Sequence, residues 1–277
     1  MKFSIYNQFG ARNSAPVFEA FAQGVKENGH SVEYHNDSAD VAVIWSQLWA
    51  GRMAPNQQVW NQYRDSGRNV IILEVGAIAR GVTWRVLLNG QQEFLTVGND
   101  SSRAERLNLQ VAPWRRNGTQ IVIACQRADS NQWAGQPSLQ EWLDITIGQI
   151  KQYSRKQIII RPHPRYPLSY NAYGAEIVRG FKVAGTYDDY NFDEALSNAW
   201  AVVNWNSNPG VQSVIAGVPA FVGGSSLAAM VGNTSLAMIE RPYRPDRTQW
   251  INDLAWTEWT VEEITQGLPI SLLSKRM

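Results

Sequence analysis

Apolar and polar positions along the chain switch repeatedly between two periods. A β-forming run at Phe3–Asn7 precedes APVFEAFAQGVKENG, where Val17, Phe18, Phe21 and Val25 share one helical face and Gly29 supplies the stop. SVEYH and DVAVIW (Asp40–Trp45) read as strands, the second apolar enough for full burial. PNQQVWNQYRDSG suits a helix with Pro55 near its start, and NVIILEVG (Asn69–Gly76) is the strongest strand of the first half. TWRVLLNG and EFLTVG predict two short strands around Asn89-Gly90, a hairpin-turn signal.

A turn-rich seam, PWRRNGT (Pro113–Thr119), separates this rhythm from its repetition. QIVIACQ (Gln120–Gln126) predicts a strand, and PSLQEWLDITIGQIKQYS predicts a helix facing inward through Leu139, Trp142, Ile145 and Ile150. KQIIIRPHPR begins as a buried strand, FDEALSNA is a short helix, and AVVNW (Ala201–Trp205) is a strand. PGVQSVIAG is a helix ending at Gly217, VPAFVGG is a strand, and DRTQWINDLAW and TVEEITQG are two closing helices. Strand and helix in alternation predict an α/β fold of two Rossmann-like, doubly wound parallel-sheet domains, residues 1–115 and 116–277, facing a cleft.

Composition narrows the classes. Hydrophobic residues make up 44% and charged residues 18%, which supports a packed core and excludes general disorder. No apolar run approaches a membrane span, the N-terminus lacks a signal-peptide pattern, and Cys125 is the only cysteine, so a cytoplasmic location is expected. Net charge is +1, with 11 basic against 10 acidic residues before Arg116 and 14 against 14 after Arg115, so no polybasic footprint marks nucleic-acid binding. Arginine outnumbers lysine 19 to 6, which suits phosphate or carboxylate recognition.

Two segments carry candidate chemistry. In IIIRPHPR (Ile158–Arg165) a buried strand runs into Arg161, His163 and Arg165, with Pro162 and Pro164 fixing the backbone. Three cations on alternate positions of an extended chain share one side, at the strand edge where open α/β sheets bind ligands. In Ala201–Gly224 a strand leads through Asn206, Ser207 and Asn208 into a helix beginning near Pro209-Gly210. Ser207 or Asn208 can cap it, its N-terminus can hold a phosphate, and Gly210 admits a ligand close to the backbone.

RPHPR, the following strand, the NS-x-PG-x-Q helix start and GVPAFV together resemble the C-terminal donor-binding half of GT-B glycosyltransferases, in the branch around capsule-polysaccharide and glycerophosphate transferases. The first half, with VIWSQLWAGRM and IILEVG, is similar to small phage-encoded glycosyltransferase-like proteins. The resemblance implies that Arg161, His163 and Asn206–Gly210 bind a nucleotide diphosphate, and that Gln212, where the family often has glutamate, contacts the ribose. Arg165 and Gln126 complete the expected donor set. The resemblance further implies no catalytic metal and no cofactor beyond the nucleotide-sugar donor. The expected acceptor is a hydroxyl, for the phage-like relatives a hydroxymethylated pyrimidine in DNA.

An inverting transfer needs a base, and Glu74, following a buried strand, is favoured over Asp40 and Asp100; its alternative role is an ion pair with Arg52 or Arg80. Asn7, Gln8, Arg12, Trp45, Trp49 and Arg52, in loops after strands, are expected to line the acceptor side. Trp45 and Trp49, four apart, could share a helical face as a stacking platform or pack in the core. Cys125 is expected to be buried and inert. Competing readings are a glycan or capsule-type glycosyl or glycerophosphate transferase and a non-catalytic nucleotide-sugar-binding module.

Overall fold

The computed structural model describes residues 1–90, 96–168, 175–185 and 190–277. In chain order the first elements are β1 (Lys2–Ile5), α1 (Ala15–Glu27), β2 (Ser31–Tyr34), β3 (Val41–Trp45), α2 (Asn56–Asp65), β4 (Asn69–Val75) and β5 (Thr83–Leu88). There follow α3 (Ser102–Arg106), β6 (Gln120–Ala124), α4 (Leu139–Tyr153), β7 (Gln157–Arg161), β8 (Glu176–Ile177), α5 (Phe192–Leu196) and β9 (Ala199–Val203). The chain closes with α6 (Asn208–Ile215), β10 (Ala220–Phe221), α7 (Thr248–Ala255), β11 (Glu258–Thr260), α8 (Val261–Thr265) and α9 (Leu268–Leu273). These elements form two compact units. The first comprises Met1–Val97, Asp129–Gln132 and Trp256–Met277, and the second Gly98–Ala128 and Trp133–Ala255.

The sheet of the first unit runs β11-β5-β4-β3-β1-β2. β2, β1, β3 and β4 are parallel, as alternating strands and helices require, but β5 is antiparallel to β4 and β11 antiparallel to β5. This sheet is therefore mixed: parallel where strands and helices alternate, and antiparallel from β5 onward, the region where the sequence predicts a hairpin. Asn89 and Gly90 do adopt successive positive φ values of 53° and 71°, as a tight turn needs. Of the second strand expected in this hairpin, Glu93–Leu95 of EFLTVG lie outside the described residues, and Thr96–Gly98 form no strand. Helices cover both faces. Val17, Phe18, Phe21 and Val25 of α1 pack with Ile264, Ile270 and Leu273 on one face, and Val59 and Tyr63 of α2 pack on the other.

The C-terminal segment departs from the sequence-based division at residue 115. Trp256–Met277 returns to the first unit because β11 completes its sheet and α8 packs directly on α1. Any side chain at Gly24 would collide with the Ile264 carbonyl, so glycine is required for that approach. Glu258 pins the return. Wholly buried, its carboxylate accepts from the Ala77 amide (2.6 Å), the Ile78 amide (3.0 Å) and the Thr83 hydroxyl (2.7 Å), and lies 3.5 Å from Arg85 Nε.

In the second unit all five strands are parallel, in the order β10-β9-β6-β7-β8. α4 covers one face, over Ile121, Ile123, Ile158 and Ile160. On the other, Phe192 and Leu196 of α5 pack over Val122, Ala124, Ile159 and Val202. The buried stripe of α4 is Leu139, Leu143, Thr146, Ile147 and Ile150. Two of the residues expected to face inward differ: Ile145 is 55% exposed and Trp142 is half-buried, one stripe around the helix.

Replacing Glu258 by alanine removes the acceptor shared by two backbone amides, the Thr83 hydroxyl and Arg85. We expect a loss of about 3–5 kcal/mol in urea unfolding, the scale for breaking a buried charge cluster from one side.

Candidate functional site

The pairing of β7 with β6 and of β6 with β9 sets the geometry of the second unit's carboxyl edge. Arg161 stands opposite Ala124, and Val203 opposite Ile123, so the three strands end level. Side chains alternate across a sheet. Arg161 shares its face with Ile159, Gln126 with Ala124, and Asn204 with Val202, all on the α5 side. The RPHPR turn and the start of α6 therefore leave the same sheet edge, separated by one strand, or about 10 Å.

Around α6 the polar groups are only partly satisfied. Ser207 takes the extended backbone of an N-cap, yet its hydroxyl accepts from Asn204 Nδ2 (2.9 Å) and no side chain caps the helix. Asn204 Nδ2 also donates to the Ala124 carbonyl (2.9 Å), which fixes the amide and leaves Oδ1 as a buried acceptor with no partner among the described residues. Gln126 Oε1 accepts from the Asn206 amide (3.3 Å), leaving Gln126 Nε2 as a buried donor in the same condition. Asn204 is 2% exposed and Gln126 4%, so both orphans are costly unless something binds them. Asn206 donates to Ser225 Oγ (3.0 Å), and its Oδ1 is likewise unpartnered. Gly210 is buried; a Cβ there would lie 2.9 Å from Val222 and 3.4 Å from Asn204 Oδ1. Gln212, on α6, is half-buried.

The cationic turn differs from the expected alternation. Tyr166 N–H bonds the His163 carbonyl (2.9 Å) and Arg165 N–H bonds His163 Nδ1 (3.1 Å), so the chain folds back at Pro164 instead of continuing extended. Arg165 is exposed and His163 half-buried. Arg161 is buried beneath Gly180, with its guanidinium 5.4 Å from the Phe192 ring centre and Nη2 donating to Asn191 Oδ1 (3.0 Å). Burial lowers its pKa from the ordinary arginine value, and the Glu194 carboxylate opposes the shift. Arg161 thus anchors the segment leading into α5, while the turn presents His163 and Arg165.

In the first unit, the loops after β1, β3 and β4 likewise leave one carboxyl edge. Glu74 is half-buried near that edge, and its carboxylate accepts from the Val75 amide (2.9 Å). No Glu74–Arg52 ion pair occurs among the described residues. Asn7, Gln8, Arg12 and Arg52 are exposed on these loops. Trp45 and Trp49 do not share a helix. Trp45 ends β3 and is buried between Phe18 and Trp84, with ring centres 5.9 and 5.7 Å away, whereas Trp49 lies in the following loop against Trp60 (5.9 Å). The apolar strand carries Trp45 into the core, which removes it as a stacking platform.

Asn56, a residue that periodicity did not single out, ties these loops together. Fully buried at the start of α2, its Nδ2 donates to the Trp45 carbonyl (2.7 Å) and the Phe9 carbonyl (3.3 Å). Its Oδ1, Asn13 Oδ1 and Trp49 Nε1 are buried without partners among the described residues. Asn204 also escaped notice, although an amide at the end of the otherwise apolar AVV run is a visible signal. Among the described residues no group of three His, Cys, Asp or Glu is placed to hold a metal ion, and no helix is long and apolar enough to cross a membrane.

No family model matches the chain, and no curated protein matches it in sequence. The fold is GT-B-like. The KpsC β-Kdo 2,4-transferase of Thermosulfurimonas dismutans superposes with a TM-score of 0.55 at 12% identity, covering 97% of this chain and 98% of that one. The KpsC β-Kdo 2,7-transferase of the same organism gives 0.53 at 14%, covering 98% and 99%.

Cys125 lies on the α4 face of β6, and burial pushes its thiol up to about 12. The native protein at pH 8 should resist iodoacetamide and react rapidly once unfolded in urea, read by mass spectrometry. Asn204→Asp places a carboxylate beside the Gly210 backbone, so it should weaken any anion bound at α6 by about tenfold or more in calorimetry.

Proposed function

We propose that the protein is a metal-independent glycosyltransferase that passes a sugar from a nucleotide-sugar donor to a hydroxyl acceptor. The observation that carries this reading is the uncapped start of α6 beside the buried, unsatisfied amides of Asn204 and Gln126, at the carboxyl edge of a parallel sheet. Backbone N–H groups and the positive end of the helix dipole favour a diphosphate there. Gly210 lets Val222 and Asn204 pack against the start of the helix, and Asn206, Ser207 and Asn208 form the rim. Arg165 supplies a cationic donor and neutral His163 its Nε2–H from the neighbouring strand end, and Arg161 holds the following segment in place. Gln212 is our choice for the ribose hydroxyls.

The acceptor residues belong to the first unit in this reading. Glu74 is the base that takes the proton as the acceptor oxygen attacks the anomeric carbon and the nucleotide leaves. Asn13 offers an acceptor, and Trp49 a donor, suited to a hydroxyl-bearing substrate. Asn7, Gln8, Arg12 and Arg52 are the exposed groups available to the rest of it. Two acceptor classes fit this chemistry, a glycan hydroxyl and the hydroxymethyl group of a modified pyrimidine in DNA. The fold likeness to two Kdo transferases favours the glycan.

The test is release of free nucleotide from UDP-glucose, UDP-N-acetylglucosamine and CMP-Kdo, with and without Kdo-terminated glycans or hydroxymethylated DNA. Turnover should be acceptor-dependent and unaffected by EDTA. Glu74→Gln should lower kcat by about 100-fold or more while donor affinity in calorimetry stays unchanged. Donor binding without turnover across both acceptor classes would leave a nucleotide-sugar-binding module instead.

A further inference from the structure

Beside its core-facing stripe, α4 carries a second row of outward apolar and amide side chains. A cavity of about 410 Å³, within the range of small-molecule sites, runs beside this helix in the second unit. α4 lines it with Trp142, Ile145, Thr146, Gln149, Gln152 and Tyr153, a stripe at helical spacing adjacent to the core-facing one. Trp205, Gly223, Thr234 and Ser235 are among the residues lining the rest. None of the lining residues carries a charge, although charged residues make up 18% of the chain and Glu141, Asp144 and Lys151 of α4 all lie off this stripe.

The aromatic part of the wall is held firmly. A Cβ at Gly223 would meet the Trp205 indole at 2.9 Å, so the ring lies against bare backbone. Buried Trp133 touches Trp205 on one side (6.3 Å between ring centres) and Trp142 on the other (5.6 Å), both edge-on. Two indoles that line the groove are thus braced by a third that does not. Amides and hydroxyls at Gln149, Gln152, Thr234 and Ser235 stand beside them, each able to donate and accept.

We propose that this groove, which reaches the α6 edge at Asn204, binds a neutral sugar along its α4 wall. Indole surfaces cover the C–H faces of a pyranose, while amides and hydroxyls meet its hydroxyl groups. Absence of charge disfavours an anionic ligand, whose desolvation nothing in the wall would offset. The inference does not depend on the proposed transferase activity, because the ligand is recognised by the wall alone.

The experiment titrates the full chain with glucose, galactose, N-acetylglucosamine, maltose and lactose, followed by tryptophan fluorescence and saturation-transfer NMR. Uridine and cytidine serve as nucleobase controls and glucuronic acid as the charged control. At least one neutral sugar should bind saturably with a roughly millimolar dissociation constant. Exposed positions permit substitutions that leave folding intact. Gln149→Ala should weaken binding about five- to tenfold, and Ile145→Glu should abolish it. Gln126→Ala, at the α6 edge, should leave sugar binding unchanged, while Gln149→Ala leaves nucleotide binding unchanged. No saturable binding of any neutral sugar would overturn the proposal. So would displacement of the sugar by uridine or cytidine, or wild-type affinity in both Gln149→Ala and Ile145→Glu.

Discussion

Parallel pairing of β7, β6 and β9 brings three chain reversals to one edge, and the chemistry proposed for the second unit depends on that register. With Arg161 level with Ala124 and Asn204 next in the same row, polar side chains from three strands emerge on the face carrying α5. A one-residue slip would turn each of them to the opposite face and bury it against α4. The apolar triplets of β6 and β7 themselves lie between helices on both faces. The energetic burden falls on the amides of Gln126 and Asn204, each satisfied on one side by a neighbour and left with one buried polar atom unpartnered among the described residues.

The first unit uses buried polar groups differently. Glu258 satisfies two loop amides, a hydroxyl and a guanidinium at once, fixing the segment just past Glu74 to the last strand of the sheet. Asn56 does comparable work between the loops after β1 and β3, through two backbone carbonyls. Neither needs to touch a substrate. Both hold irregular backbone at a sheet edge, where loops otherwise lack hydrogen-bond partners.

The twelve tryptophans divide along similar lines. Trp45 and Trp259 are core residues, and Trp84 packs on Trp45. Trp133 buttresses Trp142 and Trp205, which line an uncharged groove. Composition alone cannot separate these uses, because an indole at the end of a strand is equally apolar whether a helix or a ligand covers it.

Local sequence determined the alternation of strands and helices, the proline-led start of α6, the buried thiol of Cys125 and the placement of RPHPR at a strand end. Each follows from side-chain period or backbone stereochemistry over a few residues, which neighbours in the chain already define. Tertiary structure alone decided the rest. EWT is too short for any period to mark β11, so the return of the C-terminus to the first sheet needed the partner strand β5. The fold-back at Pro164, and the burial of Arg161 against Phe192, needed the bridge to Tyr166 and the packing of α5. Gln126 stands in the expected donor set and the amide ending the AVV run marks Asn204, but which of their atoms lacks a partner is decided only once every surrounding group has been placed.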